Sequence, residues 1–202
     1  MYLQALQDCL NGNSNWVTSV KCLLDNHGFS HIFNIAESIN PNLFINEFRM
    51  RLLDNYKQSW QGSLNDSSIL DMFRLFKSDF EYEKYLDIIP RDCRFYITRL
   101  RLSVHPLRIQ LGRYAQNNLP RNERFCLCCD NVDIEDEYHL VCLCPCYNDI
   151  RTKYLKRLYY VRPSVYKYHQ LISSDDRVEL INLSKYIKKS LTVRTSLINN
   201  IR

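Results

Sequence analysis

Apolar residues return at helical spacing in several separate stretches of the chain, with polar faces between them. Residues Asn15 to Asn26 (NWVTSVKCLLDN) predict a short amphipathic helix, with Trp16, Val20 and Leu23 or Leu24 on one side. Gly28 stands where a left-handed C-terminal cap would fall. Asn40-Pro41 is a helix start, Asn as the cap and Pro in the first turn, where its missing N–H would be unpaired anyway. From there Phe44, Phe48, Leu52, Tyr56 and Trp60 recur every four residues and end near Gly62. Such a stripe could stack nucleobases, but packing alone produces it, so a buried helix face is expected.

Residues Gln61 to Ser68 (QGSLNDSS) are turn and cap residues and predict a linker. Two short elements follow, Ile69–Lys77 and Phe80–Ile89. A helix from Arg91 should run to Ser103 and stop before Pro106. A further short helix is expected over Glu135–Leu143, and another from Pro145 to about Tyr160. Ser174-Asp175-Asp176 reads as a cap before Arg177. Beyond it Leu180, Leu183, Ile187 and Leu191 form an apolar stripe, with Lys185, Lys188 and Lys189 largely off it. Four regions result: 1–60, 61–119, 120–160 and 161–202.

Composition supports a helical reading. The chain is 46% apolar, enough for a core, and its four Gly and six Pro are too few for the repeated tight turns of a β-sandwich or barrel. The expected fold class is mainly α, a helical assembly with a small zinc-stapled knuckle or hairpin. The start, MYLQALQDCL, has no secretory signature, and no run approaches the roughly 18–20 apolar residues of a membrane span. An intracellular protein with reduced thiols is therefore expected, in nucleus or cytoplasm. There, clustered cysteines suggest metal before disulfide.

Those cysteines are the chemistry-bearing feature: six of nine lie between Cys126 and Cys146. Cys126 and Cys129 form a C-x2-C pair, which lets a tight turn aim both sulfurs at one ion. His139 and Cys144 follow, giving C-x2-C-x9-H-x4-C, a spacing suited to a four-coordinate structural zinc. Cys142, three residues from His139 on the same helix face, is the rival for the fourth place. Cys128 and Cys146 read as spectators. Glu135 and Glu137 are close enough to raise catalytic zinc, but no H-E-x-x-H or deaminase order is present. The irregular spacing and the histidine argue against an iron–sulfur cluster. The acids between the ligand pairs read as a solvated loop. Cys9, Cys22 and Cys93 read as ordinary thiols, and His105 as a surface loop residue.

Net charge is +5, unevenly spread. Residues 88–125 hold eight Arg against Asp92 and Glu123, and residues 130–137 hold five acids and no base. Planar arginines suit bidentate phosphate contacts, so Arg99, Arg101, Arg108, Arg113, Arg121 and Arg124 are candidates for a nucleic-acid surface. Neither a phosphate-cradling Gly loop nor a nucleophile–base pairing can be read from the chain. No enzyme activity and no small-molecule substrate are expected.

The order of features also carries a resemblance. Arg99-Leu100-Arg101 and His105-Pro106-Leu107 precede Leu111-Gly112-Arg113-Tyr114, and then Pro120-Arg121-Asn122-Glu123-Arg124-Phe125-Cys126. After these come Cys129, Glu135-Asp136-Glu137-Tyr138-His139, Cys144-Pro145-Cys146-Tyr147 and Arg151. This resembles the zinc-binding region at the C-terminal end of non-LTR retrotransposon reverse transcriptases, and stand-alone chains derived from them, over roughly residues 99–154. The resemblance implies Cys126, Cys129, His139 and Cys144 as zinc ligands and element RNA or target DNA as partner, with a reverse transcriptase possible in trans. Cys128, Cys142 and Cys146 depart from the family pattern. The polymerase palm and the endonuclease of that family have no counterpart here. The expected function is a non-enzymatic zinc-binding module that contacts nucleic acid. The alternative is a degenerate fragment with structural zinc that acts, if at all, through protein–protein contact.

Overall fold

A computed structural model describes residues 2–34, 40–114, 118–129 and 133–201, and it is mainly α-helical. The chain divides into two compact units, residues 1–63 and 64–202.

The first unit contains α1 (Tyr2–Leu10), α2 (Trp16–Asn26), α3 (Ser30–Asn34) and most of α4 (Pro41–Asp66). The caps are as expected from the residues. Asn15 accepts from the backbone N–H groups of Val17 and Thr18, and the Thr18 hydroxyl closes a reciprocal capping box. Gly28 follows α2 at φ +81°. Asn40 Oδ1 accepts from the N–H groups of Asn42 and Leu43 ahead of α4. The expected buried faces are corrected. In α2 the buried residues are Val17 and Leu24, seven apart, whereas Trp16, Val20 and Leu23 are exposed. In α4, Phe44 and Phe48 pack edge-on against Phe29, but Leu52 and Tyr56 are exposed, so the stripe is at most half-buried, at Phe44, Phe48 and Trp60. The helix also continues to Asp66, through most of the expected linker.

The second unit begins with the last turn of α4 and two short helices, α5 (Asp71–Arg74) and α6 (Tyr85–Ile88). Then come α7 (Arg91–Arg101) and α8 (Arg108–Leu111), a 3-10 turn at Arg121–Glu123, and a π-helical turn at His139–Leu143. A second 3-10 turn at Pro145–Tyr147 leads into α9 (Asn148–Tyr154), followed by α10 (Arg157–Tyr160), α11 (Val165–Ile172) and α12 (Arg177–Ile201). The single long helix expected after Pro145 is thus broken at Leu155, whose backbone is extended. Among the described residues the β-structure is one isolated antiparallel bridge, Phe125 to Ile134.

The organising element is α12. Asp176 caps it, accepting from Val178 and Glu179 N–H. Its stripe Leu180, Leu183 and Ile187, with Tyr186, is fully buried and packs on α7 and α9. Each such side chain contributes on the order of 1.5–3 kcal/mol by leaving water. The C-terminus of α7 is locally strained: Ser103 sits at φ +56°, where glycine is usual. Val104 N–H reaches Arg99 O and Ser103 N–H reaches Leu100 O, the two bonds of a Schellman cap. At Gly112 a Cβ would lie 2.9 Å from Arg108 O and 2.8 Å from the Arg124 stem, so only glycine lets Arg124 cross there.

Candidate metal centre

Three local structures bring the chemistry together. The bridge closes a loop in which Cys126 N–H donates to Asp133 O and Glu135 N–H to Arg124 O. Inside it, Cys128 N–H points at Cys126 Sγ at 3.4 Å, as a turn around a thiolate requires. Asp136 then caps the next turn, accepting from His139 N–H at 2.8 Å. That turn is π-helical and not the α-helix expected over Glu135–Leu143.

The π turn has a geometric consequence. Residues five apart on an α-helix point about 140° apart, at about 100° per residue. Here Cys144 N–H bonds His139 O at 2.8 Å, an i to i+5 closure that widens the turn and brings both side chains to one side. Cys144 itself is extended ahead of Pro145, the corner expected from the sequence.

As a result Cys126, Cys129, His139 and Cys144 present ligand atoms all within 4.8 Å of one another, a group that could hold a metal ion. Cys126 Sγ is 4.0 Å from Cys144 Sγ, and Cys129 Sγ is 3.5 Å from His139 Nε2. A tetrahedral ion with bonds of about 2.3 Å to sulfur and 2.05 Å to nitrogen needs about 3.8 and 3.6 Å for these separations. Burial holds the His139 imidazole below its ordinary pKa, which favours the neutral, ligating form. Its other nitrogen, Nδ1, is buried and makes no hydrogen bond, the Asp133 carboxylate standing 3.7 Å away. Cys144 is fully buried. The rival Cys142 is buried too but stands outside the group, its thiol pushed up to about 12 chiefly by desolvation.

Sequence reasoning missed what supports the centre. Glu135 and Glu137 are not solvated: each is 1% exposed. Arg194 of α12 holds Glu135 with two bonds, at 2.6 and 2.7 Å, and Arg108 N–H donates to the same carboxylate at 2.8 Å. Glu137 accepts from Ser103 Oγ at 2.5 Å and pairs with His105 Nε2 at 2.7 Å. Burial opposes its charge, but the hydrogen bonds from His105 and Ser103 outweigh it and the carboxyl falls below the ordinary range. His105 is accordingly a buried partner, not a surface residue. Arg151, 2% exposed, donates to the carbonyls of Val141, Leu140 and Cys144, and Tyr186 hydroxyl donates to Leu140 O. No local signal sets these two acids apart from solvated ones, because their partners Arg194, Ser103 and His105 come from distant elements.

The six arginines do not form one surface. Arg101 is 4% exposed, bonded to Ile172 O and Glu83 and flanked by the rings of Phe76 and Tyr85. Arg124 is buried, bonded to Leu119 O and Ile109 O. For both, desolvation lowers the guanidinium pKa, and neither can reach a phosphate, which corrects the expectation for these two. Arg113 is tied to Ser68 and Arg121 to Asp71. Arg108 is half-buried and Arg99 exposed.

Comparison of the chain with family models, with curated proteins and with solved structures returns no match. No helix among the described residues is long and apolar enough to cross a membrane.

Proposed function

We propose that the chain is a non-enzymatic, zinc-stapled helical module that contacts nucleic acid, as its resemblance to the tail region of non-LTR retrotransposon reverse transcriptases implies. The observation that carries the reading is the convergence of Cys126, Cys129, His139 and Cys144 within 4.8 Å. Three thiolates and one imidazole are a zinc donor set, and four protein ligands leave no coordination position for water or substrate. The loop carrying Cys126 and Cys129 is the knuckle of this site. The acids beside it are held by Arg194 and His105, so they are not a base set for hydrolysis. The net charge of +5 supports a polyanionic partner.

Purified protein should contain one zinc per chain, and Cys126→Ser or His139→Ala should lose it and destabilise the second unit. Binding of a structured RNA should weaken steeply as salt rises, because phosphate contacts release counterions. Absence of zinc, or absence of RNA binding at low salt, refutes the corresponding half of the proposal.

A further inference from the structure

Away from the metal, three packed helices share a surface of distinctive composition. With its apolar stripe buried, α12 turns Lys185, Lys188, Lys189, Thr192 and Thr195 outward, and all five are exposed. Its one acid, Glu179, is buried and accepts from Tyr159 hydroxyl. Aromatic rings flank the lysines on both sides. Lys188 Nζ is 5.8 Å from the centre of the Tyr96 ring on α7, and Lys189 Nζ is 5.8 Å from that of Tyr154 on α9. Lys153 Nζ stands 5.9 Å from the same Tyr154 ring.

On α7, Arg91, Phe95 and Arg99 follow at four-residue steps along the exposed face. The Phe95 ring is 52% exposed, lies edge-on to Tyr96, and has the Arg99 guanidinium 5.1 Å from its centre. Arg91, Asp92, Phe95, Tyr96 and Lys188 line a cleft of about 300 Å3. Lys153, Lys185, Lys188 and Lys189 form no ion pair among the described residues, and the acids on these outer faces are Asp92 and Asp149. An ordinary solvated helix face intersperses both signs of charge. This one places cations that form no ion pair beside the exposed Phe95 ring and the half-buried Tyr96 and Tyr154 rings.

We propose that this α7–α12–α9 face binds single-stranded nucleic acid, a base stacking on the exposed Phe95 ring while Arg99, Lys185, Lys188 and Lys189 follow the phosphates. It rests on the nucleic-acid reading above and moves the contact from the scattered arginines to this face. A single strand is favoured over a duplex because stacking needs a free base face, and every base has one. The lysines then neutralise successive phosphates.

The test is fluorescence anisotropy with the zinc-loaded full chain, a labelled oligouridine and a matched RNA duplex, over a salt series. Phe95→Ala, at an exposed position, should weaken oligouridine binding about tenfold. Lys188→Gln with Lys189→Gln should reduce the slope of log affinity against log salt by about 1.4. Lys84→Gln, whose lysine faces Asp175 elsewhere, should leave affinity within about twofold. Circular dichroism and zinc content check that each variant is folded. Oligouridine binding unchanged in both the Phe95 and the lysine variants overturns this face while leaving nucleic-acid binding intact. Equal or tighter binding of the duplex overturns the stacking. No binding of either RNA at low salt removes the underlying reading, and this face with it.

Discussion

Replacing Arg194 tests whether the C-terminal helix is wired to the metal loop. Arg194 lies 59 residues from Glu135, yet the pair is bidentate at 2.6 and 2.7 Å, with Arg194 4% exposed and Glu135 1%. Arg194→Met keeps helix propensity and stem volume but removes the charge. Glu135 would then retain Arg108 N–H as a donor and face Cys126 Sγ at 4.0 Å. Breaking one side of a buried pair costs about 3–5 kcal/mol, most of it from the charge left behind. With a urea dependence of about 2 kcal/mol per molar, the midpoint should fall by about 1.5–2.5 M.

The assay is urea denaturation followed by far-ultraviolet circular dichroism, with zinc in excess so that metal loss does not add to the effect. Glu135→Gln combined with Arg194→Met should recover a large share of the loss, since the amide leaves no buried charge. A single variant within about 1 kcal/mol of the unmodified chain would refute the claim that this pair is desolvated and coupled. A double variant no better than the single one would place the cost in packing around Arg194 instead.

Two further outcomes are expected. Cys144→Ser should lose the metal, whereas Cys142→Ala should keep one zinc per chain, because Cys142 stands outside the ligand group; zinc release titrated with a chromophoric chelator separates the two. The Asp176 carboxyl is held below its ordinary value by the backbone N–H groups of Glu179 and Val178. A depressed folded pKa adds stability that is complete above the unfolded value, near 3.9, and is lost as pH falls through the folded one. Asp176→Asn should therefore flatten the acid limb of a stability–pH curve measured below about pH 4, and an unchanged limb counts against the cap's contribution.

Features set by local chemistry were legible in the sequence. Asn15, Asn40-Pro41 and Asp176 cap helices because a short polar side chain beside orphan N–H groups has few other uses. The stripe Leu180, Leu183 and Ile187 announced a buried face, and the Cys/His spacing marked the residues that converge. Features set by distant partners were not legible. Arg101 and Arg124 look like surface cations in a local window, and only Ile172 O, Glu83 and Ile109 O reveal them as internal donors. Glu135 and Glu137 look solvated until Arg194 and His105 are placed beside them. The α4 stripe erred in the opposite sense: periodicity promises an apolar face but does not say that anything covers it.

The π turn links these two kinds of information. Ligand spacing can say that His139 and Cys144 belong together, but in an α-helix that spacing would point them apart. Widening the turn frees carbonyls from the helical ladder, and a buried free carbonyl is costly. Leu140 O receives Tyr186 hydroxyl from α12 and Arg151 from α9, while Val141 O and Cys144 O also receive Arg151. The geometry of the Cys/His cluster therefore depends on donors from elements 7 to 47 residues downstream of His139 and Cys144, such as Arg151 after Cys144 and Tyr186 after His139. Ser103 and His105 close the other side through Glu137. A segment such as 120–160 holds all four ligands and Arg151, yet it lacks Ser103, His105, Tyr186 and Arg194. The Cys/His cluster and the helical core are thus two halves of one folding unit, because each supplies groups that the other leaves buried and unpaired.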